Sequence, residues 1–128
     1  MPKKPRLLIV DDDEDMLETL SDILQEKGYQ IETAKTGIKA LAKAKERFFD
    51  IALIDIKLPG MPGIEVLRTF RKKNHTMMKI MITGHATLQN AVEALNLGAH
   101  AYLMKPVDPE KLDQTIKECL AHARTLLL

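Results

Sequence analysis

The 128 residues, 45% hydrophobic and 29% charged, fit one globular domain able to bury its own core and exclude a disordered chain. Nineteen basic against eighteen acidic residues leave a net charge of +1, which argues against a dedicated nucleic-acid binder, whose affinity rests on a strong positive field. A single cysteine, Cys119, excludes an internal disulfide, and no apolar run approaches the ~20 residues of a membrane span.

The basic start runs into Leu7-Leu8-Ile9-Val10, an apolar stretch that stops at three aspartates and is too short for a signal peptide, so a cytoplasmic protein is expected. That stretch reads as a strand buried on both faces. Met16, Leu17, Leu20, Ile23 and Leu24 then recur at helical spacing, with Gly28 as the stop. Tyr29–Ala34 alternates and predicts a second, more exposed strand. Thr36 suits the N-cap of a helix whose apolar positions include Ile38, Leu41 and Ala42. Ile51-Ala52-Leu53-Ile54 is another buried run, followed by the turn-rich Leu58-Pro59-Gly60-Met61-Pro62-Gly63.

Ile64, Val66, Leu67 and Phe70 place a third helix, Lys79–Ile82 a strand, and Leu88–Leu97 a fourth helix ended by Gly98. Ala101–Met104 is a short strand. Asp108-Pro109 then reads as an N-cap with proline in the first helical turn, and Leu112, Ile116, Cys119, Leu120 and Ala123 supply the last helix's apolar face. The terminal Leu126-Leu127-Leu128 carries no stop signal, which fits either a frayed helix end or a cut from a longer protein. Five β-α units in a row imply a parallel sheet covered by helices on both sides.

Ligands of such sheets bind at the carboxyl ends of the strands. Here those ends carry Asp11, Asp12 and Asp13, then Asp55, then Thr83 and Gly84, then Lys105 and Pro106. Asp12 or Asp13 also suits a helix N-cap. Taken together, the clustered carboxylates repel one another, and a hard divalent cation with oxygen ligands, Mg²⁺ or Mn²⁺, relieves that repulsion. Lys105 is a plausible counter-ion.

Four motifs sit at these strand ends in order: Ile9-Val10-Asp11-Asp12-Asp13, Leu53-Ile54-Asp55-Ile56-Lys57 with the loop to Gly63, Ile82-Thr83-Gly84-His85-Ala86, and Ala101-Tyr102-Leu103-Met104-Lys105-Pro106. With them the chain resembles the receiver domain of a two-component response regulator over essentially all of residues 1–128. The resemblance implies a flavodoxin-like (βα)5 three-layer sandwich with strand order 2-1-3-4-5, the order that receivers share with flavodoxin. It implies Asp55 as phosphoacceptor toward a phosphohistidine of a histidine kinase or phosphotransfer protein, with Asp12 and Asp55 ligating Mg²⁺, Asp11 acting through water, and the backbone carbonyl of Lys57 as a further ligand. Lys105 would pair with the phosphoryl group and Thr83 would donate its hydroxyl to it. Pro106 would follow a cis bond, Gly84 would keep the entrance open, and Thr83 and Tyr102 would form the switch. An output domain or partner protein, and a phosphorylation-dependent dimer through helix four, strand five and helix five, are implied as well.

On this reading the chain is a signalling module, neither an enzyme nor a binder of DNA by itself. The rival is a small Mg²⁺-dependent phosphatase or phosphotransferase using an aspartyl phosphate, which usually needs a cap or extra pocket. His75, His85, His100 and His122 lack metal-ligand spacing and read as surface residues. Cys119 reads as core, and Arg68 with Arg71-Lys72-Lys73 as a solvated helix end.

Overall fold

A computed structural model describes residues 4–126. The expected basic start at Met1–Lys3 and the Leu127–Leu128 end lie outside the described residues. Strands and helices alternate as β1 (Arg6–Val10), α1 (Glu14–Glu26), β2 (Gln30–Ala34), α2 (Gly37–Glu46), β3 (Ile51–Ile54), α3 (Gly63–Lys73), β4 (Met78–Thr83), α4 (Leu88–Asn96), β5 (Ala101–Met104) and α5 (Pro109–Leu126). All neighbouring strands pair in parallel, in the order β2-β1-β3-β4-β5.

The side-chain period of two divides each central strand between two cores. Leu8 and Val10 of β1, Ala52 and Ile54 of β3, and Met81 of β4 face Val66, Leu67, Phe70 and Ala94 of α3 and α4. Leu7 and Ile9, Ile51 and Leu53, and Ile80 and Ile82 face Leu17, Leu20 and Leu24 of α1 and Leu112, Ile116 and Cys119 of α5. Continuous apolar runs are therefore required in β1 and β3, because both faces are covered. Edge strand β2 is only partly buried, as its alternation predicts.

The helix starts are capped by the expected side chains: Asp13 Oδ1 accepts from the amides of Asp15 and Met16, and Thr36 Oγ1 accepts from Lys39 N. Gly28 and Gly98, at φ +100° and +95°, end α1 and α4 in the left-handed region. The periodicity of α2 places Leu41 against the core but misplaces Ile38 and Ala42. The buried residues there are Gly37, Ala40 and Ala44, whereas Ile38 is 67% exposed and Ala42 faces outward. Close approach explains the choice, since a Cβ on Gly37 would come within 2.7 Å of Val66 Cγ2 in α3. Small residues win where two helices and a sheet crowd together.

α5 is tied down by a contact between residues far apart in the chain. The Tyr29 hydroxyl donates to Asp113 Oδ1 at 2.6 Å, buried, and Lys117 adds an ion pair to the same carboxylate at 3.2 Å. A second tie, Lys27 to Glu110 at 2.9 Å, joins the end of α1 to the start of α5.

Candidate phosphoacceptor site

The sheet ladder continues one bond past each strand and so fixes the backbone of the site. Asp11 N donates to Ala34 O at 3.1 Å, Asp55 N to Val10 O at 3.0 Å, and Lys105 N to Thr83 O at 2.9 Å. These bonds bring the ends of β1, β3, β4 and β5 to one edge. The turn after Asp55 is equally constrained: Gly63 N donates to Ile56 O at 2.8 Å, and a Cβ on Gly63 would stand 1.9 Å from the carbonyl oxygen of Asp55. Only glycine fits there, and α3 can begin directly beneath Asp55.

Asp11, Asp12 and Asp55 each offer a carboxylate oxygen within 4.8 Å of the others. Asp11 and Asp55 are buried at 4% and 6% exposure, and Asp12 is exposed. The Lys105 ammonium bridges the two buried acids, at 2.6 Å from Asp11 Oδ2 and 3.0 Å from Asp55 Oδ2. Asp11 Oδ1 accepts from Asp13 N at 3.0 Å, so both oxygens of Asp11 are engaged. Asp55 Oδ1 accepts from Lys57 N at 3.3 Å. Asp12 makes no hydrogen bond or ion pair among the described residues.

Burial holds the Asp11 carboxyl above the ordinary aspartate value, against the lowering effect of Lys105 and of the Asp13 amide. Burial also pulls the Lys105 ammonium down, but its hydrogen bonds to Asp11 and Asp55 outweigh that and leave it above the ordinary lysine value. Three carboxylates against one ammonium leave the cluster short of positive charge. An all-oxygen donor set with that deficit fits a hard divalent cation such as Mg²⁺.

Thr83 is fully buried, and its Oγ1 accepts from His85 N at 3.0 Å. The Lys105–Pro106 bond is cis. Gly84 is exposed, and a Cβ there would meet only Lys105 at 3.9 Å, an ordinary contact. Lys57 and His85 are exposed. Tyr102 packs on the α3–α4 core, and its hydroxyl is enclosed without a hydrogen-bond partner among the described residues. Burial holds that phenol above its ordinary value, against an opposing effect from the backbone of Thr87. Around it the surface is apolar: Leu88, Val92 and Leu95 of α4 and Met104 of β5 are 83%, 48%, 54% and 64% exposed.

Two basic groups escaped the sequence reading. Lys79 is buried at 3% exposure, and Arg71 is no free end of α3, because its Nη1 donates to Asn96 O at 3.0 Å, at the end of α4. For Lys79 a signal was present: Met81, two residues on, is core, and a strand covered on both faces buries every position. Nothing in the local sequence marks the Arg71 contact.

The sequence profile of the family described as "Response regulator receiver domain" matches residues 7–117. The "Transcriptional regulatory protein ZraR" of Klebsiella oxytoca is 40% identical over 118 residues, which cover 92% of this chain and 27% of that protein. The chain thus spans about a quarter of the length of such curated relatives. Among solved structures, a CheY-like receiver domain protein from Methanospirillum hungatei JF-1 superposes with a TM-score of 0.94 at 47% identity, covering 96% of this chain and 98% of that one. The beryllofluoride-activated NtrC4 receiver domain dimer gives 0.88 at 36% identity, covering 92% and 98%.

Proposed function

The chain belongs to the response regulator receiver domain family, and we propose that Asp55 accepts a phosphoryl group from a phosphohistidine of a histidine kinase or phosphotransfer protein. The observation that carries this reading is the Lys105 ammonium shared between Asp11 and Asp55, with Asp12 alongside. An Asp55 oxygen attacks phosphorus as the P–N bond breaks, and the imidazole of the donor leaves with the bonding electrons. Asp12 and Asp55, with the Lys57 carbonyl, would hold Mg²⁺, and the engaged oxygens of Asp11 suit it to act through water. When bound, the ion neutralises charge on the phosphoryl oxygens. Lys105 exchanges a carboxylate oxygen for a phosphoryl oxygen, and Thr83 donates its hydroxyl as its side chain turns toward the new group.

Acceptance then becomes a signal through Thr83 and Tyr102. The Tyr102 hydroxyl is enclosed with only the backbone of Thr87 acting on it, so it is held mainly by packing and is ready to move when Thr83 shifts. The exposed apolar residues of α4 and β5 next to it would receive a second copy of the domain or an output partner. That the receiver drives an output domain, in the cytoplasm, belongs to the same proposal; among the described residues no helix is long and apolar enough to cross a membrane.

The test is labelling by acetyl phosphate or a phosphorylated kinase with Mg²⁺. Stoichiometric labelling that disappears in Asp55→Asn is expected. Undiminished Mg²⁺-dependent labelling of that variant would overturn the assignment, and sustained turnover of aryl phosphates would favour the phosphatase reading instead.

A further inference from the structure

At the end of the sheet away from the acceptor site, the first β4–β5 pair is Ile80 with Ala101. Lys79 lies one residue before that pair, yet both of its backbone groups are satisfied by one residue. His100 N donates to Lys79 O at 2.7 Å, and Lys79 N donates to His100 Nδ1 at 3.1 Å. An imidazole nitrogen accepts only when it carries no proton, so the neutral ring holds its proton on Nε2. Adding a second proton would set Nδ1–H against Lys79 N–H.

The surroundings resist that second proton. Lys79 in β4 and His122 in α5, whose ring centroid is 6.4 Å from that of His100, supply positive or protonatable groups. Glu118 and Cys119 of α5 line the same cleft with His100 and His122, and Glu118 is its one carboxylate among the described residues. Burial first, then Lys79 and His122, hold the imidazole below its ordinary value.

We propose that His100 is a proton-operated latch: neutral, it closes the starting end of the β4–β5 pair, and protonated, it leaves Lys79 N–H and releases that end. This device is independent of the phosphoacceptor reading, because β4 carries the chain from Lys79 to Thr83 before the site is reached.

The experiment is NMR of the intact chain across about pH 8 to about pH 5, reading the His100 tautomer from long-range proton–nitrogen couplings and the Lys79 amide exchange rate, corrected for intrinsic pH dependence. The Nε2–H tautomer at the upper pH and a fall of about tenfold in Lys79 protection as His100 protonates are expected, the change one backbone hydrogen bond is worth. In His100→Asn the side-chain oxygen accepts but does not titrate, so protection should stay constant. His122→Gln should move the midpoint of the fall to higher pH by removing a repelling neighbour. Unchanged Lys79 protection on protonation of His100, or an equal fall in His100→Asn, would overturn the latch. The parent protein's own titration decides the matter even if a variant fails to fold.

Discussion

Replacing Lys105 by Met removes the ammonium that joins Asp11 and Asp55, and two opposite consequences follow from its geometry. Without Mg²⁺, two buried carboxylates lose a charge-assisted partner. Breaking a buried pair costs about 3–5 kcal/mol, and the Lys105 side chain is 22% exposed, so a loss of roughly 2–4 kcal/mol at neutral pH is the reasoned figure. With Mg²⁺ the balance reverses, because the cluster now carries one positive charge fewer. A unit charge at contact distance from a divalent ion is worth about 2 kcal/mol even at the dielectric of water, so Mg²⁺ should bind at least about tenfold more tightly. The variant should therefore be less stable than the parent in chelator and recover much of the difference in millimolar Mg²⁺. Urea unfolding with and without Mg²⁺, beside calorimetric titration of the ion, measures both quantities. Equal stability in chelator together with unchanged Mg²⁺ affinity would refute the reasoning, since the ammonium would then be neither counter-ion nor competitor.

Lys79 is buried, and burial, helped by Arg71, lowers its ammonium to about 8. A folded-state value below the unfolded one means stability present above about pH 10.5 is lost as pH falls through about 8. Lys79→Met should thus gain roughly 1–3 kcal/mol in urea unfolding at neutral pH, the gain shrinking toward high pH; a pH-independent difference would contradict this. Tyr29→Phe strips a buried donor from Asp113 and should cost about 1–2 kcal/mol while leaving the extent of phosphorylation unchanged, so a loss of labelling in a folded variant would speak against a purely structural tie. On the proposed reading of Asp55 as acceptor, the exposed side chains Lys57 and His85 offer no carboxylate or amide to an attacking water. The pair Lys57→Asn with His85→Glu should therefore shorten the life of the aspartyl phosphate, followed by phosphate release, and equal decay rates would show that these side chains do not set it.

What the sequence made legible follows from the range of the forces involved. Strand ends and helix caps are local: Asp13, Thr36, Gly28 and Gly98 act within a few residues of where they stand, and each does what its chemistry suggests. The carboxylate cluster was legible for a different reason, because a parallel sheet brings every carboxyl end to one edge, so charges written at separate strand ends must meet. Long-range choices left no such mark. Tyr29 and Asp113 are 84 positions apart, and nothing near either announces the other. In α2 hydrophobicity favours Ile38 and Leu41, yet only Leu41 packs on the core, and the clearance from Val66 selects the small residues Gly37, Ala40 and Ala44 for the buried face. His100 escaped because a histidine ahead of a short strand reads as surface. Only the register, which stops at Ala101 and leaves Lys79 N–H without a strand partner, turns an exposed ring into an acceptor. The same register makes its proton consequential, since the group that completes this end of the β4–β5 pair is a titratable imidazole.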